Sequence, residues 1–210
     1  LFRSNLLVEN QIKINRISVV GDDENAIISE LDYALSKLAE NDVVITTGGL
    51  GPTNDDITFM AIAKYFNCNL VLNNEVLESI KQRFKRLGRT ITPSNEKQAY
   101  IPEVGIPLIN SFGTAPGLWI EDKNKILVSL PGVPSEMEMM MKEQVIPKLN
   151  NLTKETKASY FKKLYIMTIG IPESFLYERL GNLDELLEGC KLAFLPSPAG
   201  VKLRITAETD

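Results

Sequence analysis

The sequence has 210 residues and 44% of them are hydrophobic, so it can form one large domain or two small ones around a substantial core. Its formal net charge of −4 argues against nucleic acid as a main partner, and the absence of histidine excludes imidazole catalysis, a Ser-His-Asp triad and histidine metal ligands. No stretch has the roughly 18 consecutive apolar residues of a membrane span. Two distant cysteines, Cys68 and Cys190, match no metal or redox spacing and are expected to be reduced, as in a cytoplasmic protein.

The N-terminal part predicts a strand followed by a helix. Leu1–Glu9 has the composition of the end of a helix, and residues 12–20 are rich in β-branched side chains, which favours a strand. Apolar residues between 26 and 38 recur with helical spacing, and either Asp22 or Asp23 is expected at the N-cap of that helix. Because this turn follows a predicted strand, Asp22 could instead face a ligand at the carboxyl edge of a sheet.

The most informative segment is Thr46–Thr58, TTGGLGPTNDDIT, which lies between a predicted buried strand at 42–45 and a predicted helix at 59–66. In open α/β sheets, ligands bind at loops of this kind. Its glycines let the backbone approach a bound group, and the helix N-terminus offers N–H groups to phosphate. The adjacent Asp55 and Asp56 could share a divalent cation with that phosphate, or could only cap the helix. The loop is neither a Walker A sequence nor a GxGxxG fingerprint.

Two helices are predicted after a short extended segment at 69–72. The first carries apolar residues from Val76 to Leu87 on one face, and we interpret its basic residues, Lys81, Arg83, Lys85, Arg86 and Arg89, as a solvated surface. Thr92 and Pro93 begin the second, whose polar residues Asn95, Lys97 and Gln98 could face a ligand.

Two more loops follow at predicted strand ends. Asn110–Gly117 is rich in Gly and Pro, and it precedes two strands, at 118–120 and 125–130, that form a hairpin. Pro131–Met137 then begins a helix, and its Ser135 and Glu136 could begin that helix or face the same pocket as the glycine loop.

We place the first domain at residues 1–150 and a small α+β domain at 160–210, separated by a polar segment without apolar periodicity. The second domain has the predicted order β-α-α-β-β. About 50 residues form a small core, so we expect this domain to pack on other protein.

Four motifs in order resemble the CinA family, the competence/damage-inducible protein A group: TTGGLGPTNDD, NEKQA (Asn95–Ala99), GTAPG (Gly113–Gly117) and LPGVPSEM (Leu130–Met137). The second domain is similar to the KH-type domain of that family, although it lacks a GxxG loop. The resemblance implies an α/β fold, a three-layer α/β/α sandwich of the molybdopterin-binding (MoaB/MogA-like) type. It also implies a strand and an acidic loop ahead of Leu1, which these 210 residues do not include.

The resemblance further implies hydrolysis of ADP-ribose to AMP and ribose 5-phosphate with Mg²⁺, Mn²⁺ or Co²⁺, in a homodimer with no nucleic acid or membrane partner. Many family members carry a C-terminal domain that deamidates nicotinamide mononucleotide. That domain is not within these residues, so we expect no deamidation from them. The alternatives are a domain that binds or transfers molybdopterin or another pterin phosphate, and a non-catalytic nucleotide-binding domain.

The expected site residues follow from the loops and the resemblance together. The resemblance implies that the catalytic and metal-binding carboxylates are Asp22, Asp55 and Asp56. Because the chain has no histidine, an aspartate or a metal-bound hydroxide would have to act as the base. The expected substrate-binding residues are Thr47, Gly48, Gly49, Leu50, Gly51, Asn95, Lys97, Gly113, Thr114, Pro131, Gly132, Ser135 and Glu136.

Overall fold

The computed structural model describes residues 6–7, 10, 12–39, 42–153 and 160–209, and the chain divides into two units at Thr153. Within these described ranges, no helix is long and apolar enough to cross a membrane. The helix predicted at Leu1–Glu9 falls mostly outside them; of its residues, Leu6 and Leu7 are described, and both are helical.

The first unit alternates helices with short strands. Its elements are α1 (Glu24–Ser36), β1 (Val43–Thr47), α2 (Thr58–Tyr65), β2 (Leu70–Leu72), α3 (Asn74–Arg86), α4 (Pro93–Lys97), β3 (Tyr100–Pro102), β4 (Ile106–Leu108), β5 (Gly117–Asp122), β6 (Lys125–Leu130), α5 (Pro134–Met140) and α6 (Ile146–Thr153). A π-helical turn at Met141–Val145 joins α5 to α6.

The main sheet has the strand order β1-β6-β5-β4. Strands β1 and β6 are parallel, with Val43 opposite Ile126 and Thr47 opposite Leu130. Strand β5 is antiparallel to both β6 and β4, so the predicted hairpin is confirmed. Strands β2 and β3 pair with each other in a separate two-stranded sheet.

Alternating side chains of the main sheet enter two different cores. Leu118 and Leu127 lie in the core shared with residues of α1 and α2, whereas Trp119 and Val128 lie in the core shared with the α5–α6 helix. Successive residues of a strand point to opposite faces, so these two cores lie on opposite sides of the sheet. The predicted three-layer α/β/α sandwich is therefore confirmed.

The helix ends use the polar residues that the sequence offers. Asp23, rather than Asp22, caps α1, because its Oδ1 accepts a hydrogen bond of 2.8 Å from the N–H of Ala26. Asn73 caps α3, and Thr92 forms a capping box with Asn95 at the start of α4. These caps fix where the helices begin.

The strand predicted at residues 12–20 is wrong. These residues form no strand in the described structure, and the side chains of Ile17 and Val19 are 73% and 97% exposed. A β-branched composition favours a strand only where a neighbouring strand supplies hydrogen bonds and packing. The linker prediction also begins too early, because α6 continues to Thr153.

The second unit is a three-stranded antiparallel sheet with two helices. Its elements are β7 (Tyr160–Met167), α7 (Glu173–Leu180), α8 (Leu183–Leu187), β8 (Lys191–Ser197) and β9 (Gly200–Thr209), and the strand order is β7-β9-β8. Leu176 of α7 packs with Val201 and Leu203 of β9 in the core of this unit. The predicted order β-α-α-β-β is confirmed.

One buried side chain of the first unit is unsatisfied. Gln98, which follows α4 in the NEKQA motif, is 5% exposed, and neither its Oε1 nor its Nε2 has a hydrogen-bond partner among the described residues. Burying a polar group without a partner costs about 1–3 kcal/mol. Gln98 therefore reduces the stability of the ligand-free protein.

We expect Gln98→Met to raise the free energy of unfolding by about 1 kcal/mol, because the thioether keeps the volume and removes the unsatisfied amide. Urea denaturation of the ligand-free chain at 25 °C measures the change. Gln82→Met is the matched control, because Gln82 is exposed on α3 and its replacement should change stability by less than about 0.5 kcal/mol. A loss of stability in Gln98→Met alone would mean that the amide has a partner in solution.

Candidate functional site

The loop after β1 is held in place by Thr58 at the start of α2. The Thr58 hydroxyl donates to the carbonyl of Gly48 at 3.0 Å, and the Thr58 N–H donates to the carbonyl of Gly49 at 3.1 Å. A Cβ atom at Gly49 would overlap the Thr58 hydroxyl, and both glycines have positive φ, at 101° and 67°. The glycines are therefore required for the close approach of this loop to the helix. Thr58 is a site residue that the sequence pattern contained but did not distinguish.

Contacts within the protein limit which backbone groups of this loop can bind a ligand. The N–H of Gly48 donates to the carbonyl of Leu130 at 2.9 Å and so holds the loop to the end of β6. The side chain of Leu50 is buried in the core, so only its backbone can contribute to binding. The N–H groups of Gly49 and Leu50 are the loop's candidate donors to an anion.

The side chain of Asp56 fixes the second half of the loop by hydrogen bonds to Thr53. Its Oδ2 accepts hydrogen bonds from the N–H of Thr53 at 2.9 Å and from the Thr53 hydroxyl at 2.6 Å. A Cβ atom at Gly51 would lie 2.5 Å from this oxygen. Burial alone would raise the pKa of Asp56, but the hydrogen bonds from Thr53 and from the backbone of Gly51 outweigh it and lower the pKa below 3.8. Asp56 is therefore ionised at neutral pH.

Neither aspartate of the loop caps α2. The N-cap residue is Ile57, and no side chain makes a capping hydrogen bond there. Asp55 is exposed beside Asp56. The alternative in which these two residues only cap the helix is therefore wrong for both of them.

The loop after β6 lies against the glycine loop. A Cβ atom at Gly132 would lie 3.3 Å from the Cα of Gly48. Pro131 is buried and Ser135 is exposed in the first turn of α5. Because β1 and β6 are adjacent and parallel, their carboxyl ends meet at one edge of the sheet, as the sequence predicts.

Asn110 joins the third loop to α5. Its Nδ2 donates to the carbonyl of Ala115 at 2.9 Å and to the carboxylate of Glu136 at 2.7 Å, and its Oδ1 accepts from the N–H groups of Phe112 and Gly113. A Cβ atom at Gly113 would overlap the Glu136 carboxylate. The buried amide of Asn110 therefore fixes both the loop and the position of Glu136.

The third loop lies at the same edge of the sheet as the other two, because β5 begins at Gly117, beside the end of the antiparallel strand β6. The Gly113 N–H donates to the Oδ1 of Asn110 at 2.8 Å, so this group is already paired within the loop. Thr114 is half-buried in this loop. Asn110 is a site residue that the sequence pattern missed.

The polar residues of α4 have other roles or positions. The Oδ1 of Asn95 accepts from both the N–H and the hydroxyl of Thr92, so its side chain completes the capping box. Lys97 is exposed in the last turn of this helix. Among the described residues, neither side chain forms a hydrogen bond or ion pair with the three loops, and that of Asn95 is engaged by Thr92.

The expected metal site of Asp22, Asp55 and Asp56 is not formed. Within the described ranges, no three carboxylate or thiol side chains lie close enough together to hold a metal ion. The ion pair between Glu24 and Lys64 joins the start of α1 to the end of α2, whereas Asp55 and Asp56 precede the start of α2. Asp22 therefore lies toward the other end of this helix pair.

Known protein families and sequences resemble the chain over both units. The family described as "Probable molybdopterin binding domain" matches residues 3–151, and the family described as "Damage-inducible protein CinA KH domain" matches residues 164–210. A CinA-like protein of Kosmotoga olearia is 42% identical over 100% of this chain and 49% of its own length. A CinA-like protein of Flavobacterium psychrophilum is 41% identical over 93% of this chain and 46% of its own length.

A solved structure shares the fold. The crystal structure of the protein CinA from Thermoplasma acidophilum, described as of unknown function, is 38% identical and superimposes with a TM-score of 0.60 over 69% of this chain and 84% of its own. The chain spans about half the length of the two CinA-like relatives. Its two family matches follow one another in the order of its two units, and the chain belongs to the CinA family.

Proposed function

We propose that the first unit hydrolyses the diphosphate of ADP-ribose to AMP and ribose 5-phosphate with a divalent cation. In this reaction, water adds its oxygen to one phosphorus atom, and the bond from that phosphorus to the bridging oxygen breaks. The observation that carries the proposal is the meeting of three loops at one edge of the sheet, with backbone donors and carboxylates on the first loop and the carboxylate of Glu136 at the start of α5.

The glycine loop supplies the diphosphate site in this proposal. The N–H groups of Gly49 and Leu50 would donate to phosphate oxygens, and Thr58 would hold them in place through its bonds to Gly48 and Gly49. Thr47, the last residue of β1, and Gly132 would form the floor and one side. No side-chain movement is needed to present these donors, because the loop is already fixed by hydrogen bonds.

The loop aspartates supply the negative charge. Mg²⁺ commonly takes one or two carboxylates together with substrate phosphate oxygens, and Asp55 with Asp56 fits that mode even though a three-carboxylate site is absent from the described residues. A cation bound there would offset charge on the phosphoryl oxygens. The Oδ2 of Asp56 is occupied by Thr53, so the exposed Asp55 is the better acceptor for a proton from water.

Binding of a pterin phosphate is the second candidate. It is supported by the match of residues 3–151 to the family described as a molybdopterin binding domain. The same loop donors would then hold a monophosphate, and no diphosphate bond would be cleaved. A measurement of ADP-ribose hydrolysis distinguishes the two candidate functions.

We expect the chain to release AMP from ADP-ribose when Mg²⁺, Mn²⁺ or Co²⁺ is added. The release of AMP should stop when EDTA removes the metal. Chromatography of the nucleotide products measures this. If the folded chain forms no AMP with any of the three ions, while a pterin phosphate binds, the second candidate replaces the first.

Asp56→Asn should lower kcat for ADP-ribose by roughly 100-fold or more, because the neutral amide keeps an acceptor for Thr53 but removes the charge. Steady-state kinetics and circular dichroism measure activity and folding together. Asp122→Asn is the matched control, because Asp122 is exposed at the other end of β5. Equal activity in both variants would remove Asp56 from the proposed mechanism.

Thr53→Val should raise the pKa of Asp56 toward 3.8, since it removes the hydroxyl donor that helps to lower it. A lowered pKa stabilises the fold above pH 3.8, and this contribution is lost as the pH falls through the folded-state value. The variant should therefore lose stability at pH 7 and little at pH 2. Carboxyl carbon NMR titration and urea denaturation measure these two effects, with Thr53→Ser as the control that keeps the donor. A pKa that stays unchanged in Thr53→Val would show that the hydroxyl does not hold the carboxylate.

A further inference from the structure

A cleft of about 370 Å³ lies between α3 and the segment Ile109–Ser111. Gln82, Arg83 and Arg86 line it from α3, and Ile109, Asn110 and Ser111 line it from the other side. No carboxylate is among its lining residues. The cleft therefore has two guanidinium groups and no acidic side chain, in a chain whose net charge is −4.

The two arginines are distinct from the other basic residues of α3. Arg83 is half-buried, and its Nη1 donates to the carbonyl of Ser111 at 3.2 Å, which holds the side chain at the wall of the cleft. Arg86 follows one helical turn later, so both side chains lie on one face of the helix. Lys81 instead pairs with Glu78 on the helix surface at 3.0 Å, and Lys85 does not line the cleft. Arg83 is therefore held by a contact that the solvated-surface interpretation did not include, whereas Arg86 is exposed, as that interpretation predicts, and also lines the cleft.

The charges and hydrogen-bond donors of the cleft favour a phosphate as its ligand. Two like charges one turn apart repel each other, and an anion between them would remove that repulsion. The planar guanidinium group matches the oxygens of phosphate with paired hydrogen bonds, and the amide of Gln82 and the Ser111 backbone add polar groups beside it. The cleft volume falls within the range of small-ligand sites.

The cleft also shares a wall with the candidate active site. Asn110 lines the cleft, and its side chain holds the third loop and Glu136. We propose that this cleft is a second anion site, which binds a phosphate group beside the third loop. The phosphate is carried either by the substrate itself, as an additional phosphate beyond the diphosphate, or by a free phosphate or phosphate monoester.

The decisive experiment measures binding of inorganic phosphate to the whole chain by NMR, so it does not depend on turnover. We expect phosphate to shift the amide signals of Asn110 and Ser111, and Arg86→Gln to weaken this binding about tenfold or more. Arg86 is suited to this test because it is exposed and its replacement leaves the bond between Arg83 and Ser111 in place. Lys85→Gln removes the same charge from the same helix and should leave the binding unchanged. Equal phosphate binding in the two variants, or shifts confined to the glycine loop, would overturn the proposal.

A second comparison distinguishes a phosphate carried by the substrate from a free phosphate. If the substrate carries it, ADP-ribose with an additional 2′-phosphate should bind more tightly than ADP-ribose, and Arg86→Gln should abolish the difference. If free phosphate is the ligand, the two nucleotides should bind equally, and inorganic phosphate should still lose affinity in Arg86→Gln. Both the phosphate titration and the nucleotide comparison can be interpreted even if the chain does not hydrolyse ADP-ribose, because each measures binding and not turnover.

Discussion

The parallel pairing of β1 with β6 is the constraint on which the candidate site depends. The register places Thr47 opposite Leu130, so the two strands end at the same level of the sheet. The hydrogen bond from the Gly48 N–H to the Leu130 carbonyl continues this pairing into the loop. The backbone of Gly132 can then lie against Gly48, where a Cβ atom on Gly132 would come within 3.3 Å of the Gly48 Cα. A shift of the register would separate these two loops, whatever their own sequences.

Much of this arrangement follows from local sequence and general rules of topology. Strand β1 is followed by Gly48 and β6 by Pro131 and Gly132, and parallel strands bring such ends together. Helix α1 follows the apolar spacing of its own sequence, and the hairpin of β5 and β6 follows from two apolar runs joined by a polar turn. The three loops could therefore be placed at one edge of the sheet before any side-chain contact was known.

The parts that sequence reasoning missed depend on contacts between distant residues. Asn110 and Glu136 are 26 residues apart, and no local pattern indicates that the amide of one holds the carboxylate of the other. Asp22 and Asp56 both follow predicted strands, which suggests a shared site. They precede α1 and α2, and the start of α1 lies beside the end of α2, so the two aspartates are separated. Residues 12–20 have the composition of a strand, and pairing, which composition does not encode, decides whether they form one.

The π-helical turn between α5 and α6 absorbs one residue without changing which side of the helix meets the sheet. The turn accommodates one more residue than an α-helical turn, and buried residues on both sides of it, Met137 and Leu149, face the same core. Deleting one residue from Met141–Val145 would convert the turn to α-helix and leave Met137 and Leu149 about three turns apart, still on one face. The same deletion within α5 would rotate everything after it by about 100°. The chain can therefore lose one residue within this turn, but not within α5, without turning Leu149 away from the sheet.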